Sequence, residues 1–296
     1  MLWENLREEE FKGAVEKSGK LCLITIGCME KHGQHLPLGT DVFIAESVVD
    51  RAAELTDSVV LHTGPWFGEV SCFHADKDPD SVRRMGNIAI KQSTLLTVLE
   101  ELCDECGRNG FTKVLILNSH GGNVHMLNHF LRCQTYEDKP YCTMWAWAVN
   151  DDDTEPDKLL REIETRREEF SFVTEEDINT IKGWMPKGYM GGHADIREVA
   201  LTMADHPELI APDRYEAEDG YYNPRIREVG KEGLYVANAW YAASPNCYNG
   251  RPAHGTTMGI AKAMQKINVE RLVRIINRVK ANDDIISVAQ MDRPQK

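Results

Sequence analysis

The chain has 296 residues, 42% hydrophobic and 27% charged, with a formal net charge of −13. That acidic balance argues against a nucleic-acid partner, because binding phosphates needs clustered Lys and Arg, and no apolar run approaches the roughly 18 residues that would cross a membrane. What remains is an ordinary globular composition, long enough for one sizeable α/β core and directed at a small molecule. The opening MLWENLREEEF is acidic and amphipathic, without the basic start and apolar centre of a secretory signal, so a cytoplasmic location is expected. The eight cysteines are then expected to be buried thiols rather than disulfides.

In chain order, LCLITIG (residues 21 to 27) is a continuous apolar run rich in β-formers, the pattern of a strand covered on both faces. DVFIAESVVDRAAEL has helical spacing, with Asp41 placed as an N-cap. SVVLHTGPWFG returns to strand and then loop, and IKQSTLLTVLEELCDECGRNG is a second helix ending at a glycine suited to a C-cap. Its Cys103 and Cys106 form one CxxC with no second pair to complete a zinc site, so a plain helical role is expected. FTKVLILNSHGGN is a second buried strand leading into a glycine turn; NVHMLNHFLRCQTYE predicts a helix and PYCTMWAWAV another strand.

Residues 150 to 180 are strongly acidic and helix-prone, which predicts a solvated helical excursion. ADIREVALTMA is an amphipathic helix. RIREVG and GLYVANAWYAASP are strand candidates, followed by an Asn-Gly turn and the terminal helix KAMQKINVERLVRIINRVKAN. Apolar strands alternating with helices predict a single α/β domain over residues 1–296, built on a mostly parallel β-sheet with helices on both faces.

Three stretches carry candidate chemistry. Glu30 and His32 lie two apart where the first strand ends, so their side chains project to one side if the chain stays extended. Ligands in a parallel α/β sheet bind beyond the carboxyl ends of the strands, which is where this pair falls, and Asp41 can fold back toward the same crevice. The strand VLILN delivers His120 and the turn GGN to its own carboxyl end, and GGHADIREVA carries His193, Asp195 and Glu198. A histidine at a strand end is by itself an ordinary loop residue, and that reading is kept for His62, His74, His125, His129, His206 and His254. GGN alone is likewise a turn signature. The coincidence of three such loops favours a metal site, and oxygen with imidazole donors suits Zn²⁺ or Mn²⁺ in a hydrolytic centre. GxSxG, Walker, GxGxxG and HExxH motifs are missing from the sequence.

GCMEKHGQHLPLGTD resembles the creatininase (creatinine amidohydrolase) family signature Gly-x-x-Glu-x-His-Gly-x-His-Leu-Pro-x-x-Thr-Asp. NSHGGN resembles its second motif, and GGHADIREVALTM its third, His-Ala-Gly-x-x-Glu-Thr-Ser. The resemblance implies a creatininase-like three-layer sandwich and two divalent ions per subunit, Zn or Mn. Glu30 and His120 would hold one ion, His32 and Glu198 the other, with Asp41 between them. Relatives close to creatininase take one carboxylate from two residues beyond the second-motif His, which here is Gly122, so Glu198 is the expected substitute.

His193 would be the acid/base group, Trp147, Trp184 and Tyr189 would cover the substrate, and His35 and Asn123 would support the ligands. Asn123 could do so by holding the turn or by positioning a ligand. The implied reaction is hydrolysis of a small, cyclic, non-peptide amide by hydroxide generated between the ions, in a homo-oligomer such as a hexamer. A formamide deformylase or peptidase-like member of the family is an alternative, as is a non-catalytic metal- or metabolite-binding relative. Asp195 replaces the motif's Gly, Val199-Ala200 replace Thr-Ser, and the family's His-x-x-Phe-Pro-Gly-Thr segment stands here as HADKDPDSVRRMGNIAI. The metal donors are kept and the substrate-facing loops are not.

Overall fold

The computed structural model describes residues 1–70, 86–185, 192–220, 222–235, 239–250 and 253–281. The framework runs α1 (Glu8–Lys17), β1 (Leu21–Ile26), α2 (Thr40–Leu55), β2 (Val59–His62), α3 (Gln92–Arg108), β3 (Lys113–Asn118), α4 (Asn123–Cys133) and β4 (Cys142–Trp147). The strands form one parallel sheet in the order β2-β1-β3-β4. Then follow α5 (Pro156–Thr165), α6 (Glu175–Trp184), α7 (Ile196–Met203), α8 (Pro224–Lys231), α9 (Ala239–Ala243) and α10 (Met258–Ala281).

The period-two geometry of β1 explains the two-sided cover. Cys22, Ile24 and Ile26 face α1, α3 and α4 through Val15, Leu99, Cys103, Met126 and Phe130. Leu21 and Leu23 face α2 and α10 through Val48, Val49, Ala52, Leu272 and Ile276. Every residue of β1 and β3 is buried, which is why both read as predominantly apolar runs. Cys103 and Cys106 are fully buried on α3, as a plain helical role requires.

Four expectations need correction. Residues 150 to 180 do form helices, but α5 and α6 are not simply solvated. Leu159, Leu160, Ile163, Ile178 and Ile181 are buried against α7 and the first half of α10, so the acidic surface conceals an apolar face. RIREVG is not a strand: Asn223 Oδ1 accepts from Arg225 N at 3.1 Å and Pro224 opens the helix, a capping arrangement that overrides the β-branched content of α8. The second strand candidate contains α9 instead, with residues 236–238 outside the described set. Asp41 is also not a cap. α2 opens at Thr40 after Gly39, leaving the Asp41 carboxylate in the first turn, where the helix dipole favours negative charge.

Among the described residues no helix is long and apolar enough to cross a membrane.

Candidate metal centre

Beyond the carboxyl end of β1 donor side chains alternate with others. Cys28, Glu30 and His32 turn inward, while Lys31 turns away, its Nζ donating to both carboxylate oxygens of Glu218 at 2.6 and 2.8 Å. The neighbouring strand β3 delivers His120, and the first turn of α2 delivers Asp41. His120 Nδ1 stands 3.0 Å from Asp41 Oδ2 and 3.3 Å from Glu30 Oε1. On the other side of Asp41, His32 Nε2 lies 3.6 Å from Asp41 Oδ1 and 3.7 Å from Glu198 Oε2. The donors thus gather in three groups, Cys28 with Glu30, Asp41 and His120, then His32 with Asp41 and Glu198, and Glu30 with His32 and His193; the first two share Asp41.

Hydrogen bonds behind the imidazoles fix which nitrogen faces inward. His32 Nδ1 is 3.0 Å from the Glu30 carbonyl oxygen, and His120 Nε2 is 2.8 Å from the Glu69 carbonyl oxygen. Each carbonyl can only accept, so the N–H of each ring points outward and its other nitrogen meets carboxylates. His32 Nε2 is fully buried and has no hydrogen-bond partner. An orphan nitrogen facing two carboxylates is the environment a cation completes. Donors about 2.1 Å from one ion, at angles of roughly 90–110°, stand about 3.0–3.4 Å apart. The 3.0 and 3.3 Å edges at His120 match that spacing, and the 3.6 and 3.7 Å edges at His32 are slightly wider.

The electrostatics agree. Burial alone would lower the His32 and His120 pKa values, but for His32 the charges of Asp41 and Glu198 push it up to about 10. For His120, Glu30 and Asp41 push it to about 9. Asp41 is held well below the usual carboxylate range, its burial outweighed by the two imidazoles. Burial, with the charges of Asp41 and Asp195, pushes Glu198 up to about 8 against the pull of His32. This is a pocket of negative potential that draws in positive charge.

His193 stacks on His32 with ring centroids 4.1 Å apart. Its Nε2 is 2.8 Å from the Lys31 carbonyl oxygen, which leaves Nδ1 free, 3.6 Å from Glu30 Oε1. Burial, then the adjacent His32, lowers its pKa to about 4, so the ring is neutral near pH 7. His193 and the carboxylates open onto a cavity of about 580 Å³, whose wall also carries Trp147, His125 and Trp240.

The supporting shell is built from the motif loops. Asn123 bonds away from its own turn: Oδ1 accepts from Glu69 N at 2.7 Å, while Nδ2 donates to Gly27 O and Asn118 Oδ1, each at 3.0 Å. It therefore ties the exits of β1 and β3 together and holds the carbonyl that orients His120. His35 Nε2 donates to Ala194 O at 2.8 Å, steadying the loop that carries His193.

The family model described as creatininase, creatinine amidohydrolase, matches residues 4–276. The chain belongs to the creatininase family. It is therefore a hydrolase of a family that acts on C–N bonds. It is 22% identical over 216 residues to a creatinine amidohydrolase of Pseudomonas putida, spanning 70% of this chain and 72% of that one. Among solved structures it resembles a manganese creatininase (17% identity, TM-score 0.66, covering 95% of this chain and 99% of the other). A Zn-Zn type mutant creatininase is similar at 17% identity and TM-score 0.66, over 95% and 98% of the two chains.

Of the three expected cover residues, Trp147 lines the cavity and one is placed elsewhere. Trp184 does not reach the cavity: it closes the apolar face of α6 and is buried with Ile178 and Ile181. Tyr189 lies outside the described residues, as does most of the segment standing for His-x-x-Phe-Pro-Gly-Thr. Trp240 and Cys28 were not anticipated. The two-residue alternation that joins Glu30 to His32 extends back to Cys28, so that signal was present. Trp240 sits edge-on to His193 with centroids 5.2 Å apart, but nothing in its neighbourhood in the sequence distinguishes it.

Proposed function

We propose that this chain is a dinuclear amidohydrolase that opens a small, cyclic, non-peptide amide. One ion would be held by Glu30, Asp41 and His120, and the other by His32, Asp41 and Glu198. The carrying observation is the pair of donor sets sharing one buried aspartate at the floor of a cavity, with the unpartnered His32 Nε2 between two carboxylates. Oxygen and imidazole donors fit Zn²⁺ or Mn²⁺. Divalent ions bound there would supply activated water at neutral pH and polarisation of a carbonyl.

The chain's own residues account for the rest. Neutral His193 presents Nδ1 to the cavity, so it can take a proton there and pass it to the departing nitrogen, while Nε2–H stays tied to Lys31 O. Its stacking on His32 fixes the ring plane and the reach of Nδ1. Trp147 and Trp240 would bracket a planar ring, and a cavity of about 580 Å³ suits a ligand of that size.

The test joins metal content with turnover. Protein purified without chelator should carry about two ions per chain and hydrolyse one class in a panel of cyclic ureides, formamides and short peptides. Turnover confined to formamides or peptides would replace the cyclic amide. Ions without turnover of any amide would favour a binding relative, and no ion uptake would end the dinuclear reading.

A further inference from the structure

The thiol of Cys28 lies against Asp41, the proposed bridge, and within reach of Glu30 and His120. We propose that Cys28 is a positioning residue whose S–H donates to Asp41 Oδ2 and fixes the plane of the shared carboxylate. This rests on the dinuclear reading.

Sγ is 3.0 Å from Asp41 Oδ2 and the residue is fully buried. A carboxylate serving two ions must aim one oxygen at each, yet Asp41 sits in the first turn of α2 on a side chain with two rotatable bonds. With ions on their inward nitrogens the imidazoles could not steer it with protons, because the remaining N–H of His32 is spent on Glu30 O and that of His120 on Glu69 O. Cys28 brings the proton that they do not. Oδ2 has two lone pairs, so it can accept the thiol on one and keep the other for an ion.

The thiol is itself held in place. Gly68 packs so closely that an added Cβ would lie 2.7 Å from Cys28 Cβ and 2.0 Å from Gly27 O. Gly27 O in turn accepts from Asn123 Nδ2. Cys28 is not among the residues that line the cavity, so it acts through Asp41 rather than on substrate.

The experiment compares wild type, Cys28→Ser and Cys28→Ala by competition with a metal indicator, and by the absorption spectrum after cobalt substitution. Loss of an outer hydrogen bond to a metal ligand typically costs roughly 10- to 100-fold in metal affinity. Cys28→Ala should show that loss, with kcat falling and KM little changed, and Cys28→Ser should recover most of the affinity because its hydroxyl donates in the same direction. Cys28→Ala binding as tightly as wild type would overturn the proposal. So would a sulfur-to-cobalt charge-transfer band in wild type that Cys28→Ser abolishes, which would make Cys28 a ligand. Failure of wild type itself to take up cobalt would instead remove the dinuclear reading, and with it this one. Should Cys28→Ala fold poorly, the wild-type spectrum and Cys28→Ser affinity still decide.

Discussion

Gly122 offers the sharpest test of how the centre is built. It lies under the hydrogen bond from His120 Nε2 to Glu69 O, and an added Cβ would stand 2.4 Å from the nitrogen and 2.6 Å from the oxygen. Ordinary contact needs roughly 3.5 Å, so Gly122→Ala must displace the ring or the carbonyl by about 1 Å. Overpacking of this kind costs roughly 1–3 kcal/mol, and a strained or broken buried hydrogen bond adds about 1 kcal/mol. At a few degrees per kcal/mol, Tm should fall by roughly 5–10 °C. A ring displaced by about 1 Å also leaves the 3.0 and 3.3 Å contacts of His120 Nδ1, so metal affinity should drop about 10- to 100-fold. Calorimetry on chelator-treated proteins isolates the packing cost, and metal titration then isolates the misplaced donor. Gly122→Glu would restore the carboxylate that the creatininase resemblance implies at this position, and it should be at least as damaging. Wild-type Tm and affinity in Gly122→Ala would refute the close approach and the orientation of His120 inferred from it.

Asp41→Ala should lose bound metal and turnover together, by elemental analysis and product assay; retention of two ions with full activity would rule out a shared aspartate. His193→Ala should keep its metal while kcat falls about 10²-fold or more, and an unchanged rate would remove His193 from the proton transfer. His62 predicts a pH effect away from the centre. Its ring faces Thr25 Oγ1 at 2.7 Å, Asp50 at 3.1 Å and Glu46 at 4.0 Å. Burial lowers its pKa, but the Asp50 hydrogen bond and charge, with Glu46 and Glu4, raise it further, for a net upward shift. A folded value above the unfolded one, about 6.5, gives stability that is complete below that pH and fades as pH rises through the folded value. The Tm advantage of wild type over His62→Gln should therefore be largest near pH 6 and shrink toward pH 9, and a gap that widens with pH would contradict the sign.

The sheet was legible because β1 and β3 are buried on both sides and are apolar apart from Thr25, Lys113 and Asn118, whereas the elements misread were those whose local chemistry competes with composition. Acidic residues on α5 and α6 gave the stretch its polar look, yet Leu159, Leu160, Ile163, Ile178 and Ile181 carry the packing. On α8, Ile226 and Val229 suggested a strand while Asn223 and Pro224 had already started a helix. In the centre, the side chains of Glu30, His32, Asp41, His120 and Glu198 were readable from strand ends and motif spacing. The carbonyls of Glu69, Glu30 and Lys31, which orient three imidazoles, were not, because a backbone oxygen has no residue type to announce it.

The residues that differ from the creatininase pattern can be read as one arrangement. Glu198 stands in the first turn of α7 because Asp195 caps that helix, accepting from Arg197 N at 3.0 Å and Glu198 N at 3.4 Å. Ala194, at φ 58°, turns its N–H onto Glu198 Oε2 at 2.5 Å and its carbonyl onto His35. A left-handed alanine costs roughly 1–2 kcal/mol and persists where its surroundings over-determine it, as these two hydrogen bonds do. Asp195 fits only because Gly250, at φ 121°, has no side chain: a Cβ there would lie 2.7 Å from Asp195 Cβ. Asp in place of the motif's Gly therefore helps to aim a carboxylate from α7 at His32, and Gly122 leaves the β3 loop too tight to supply one. Replacing Asp195 with Gly should loosen Glu198 and weaken metal binding, even though it restores the family's residue.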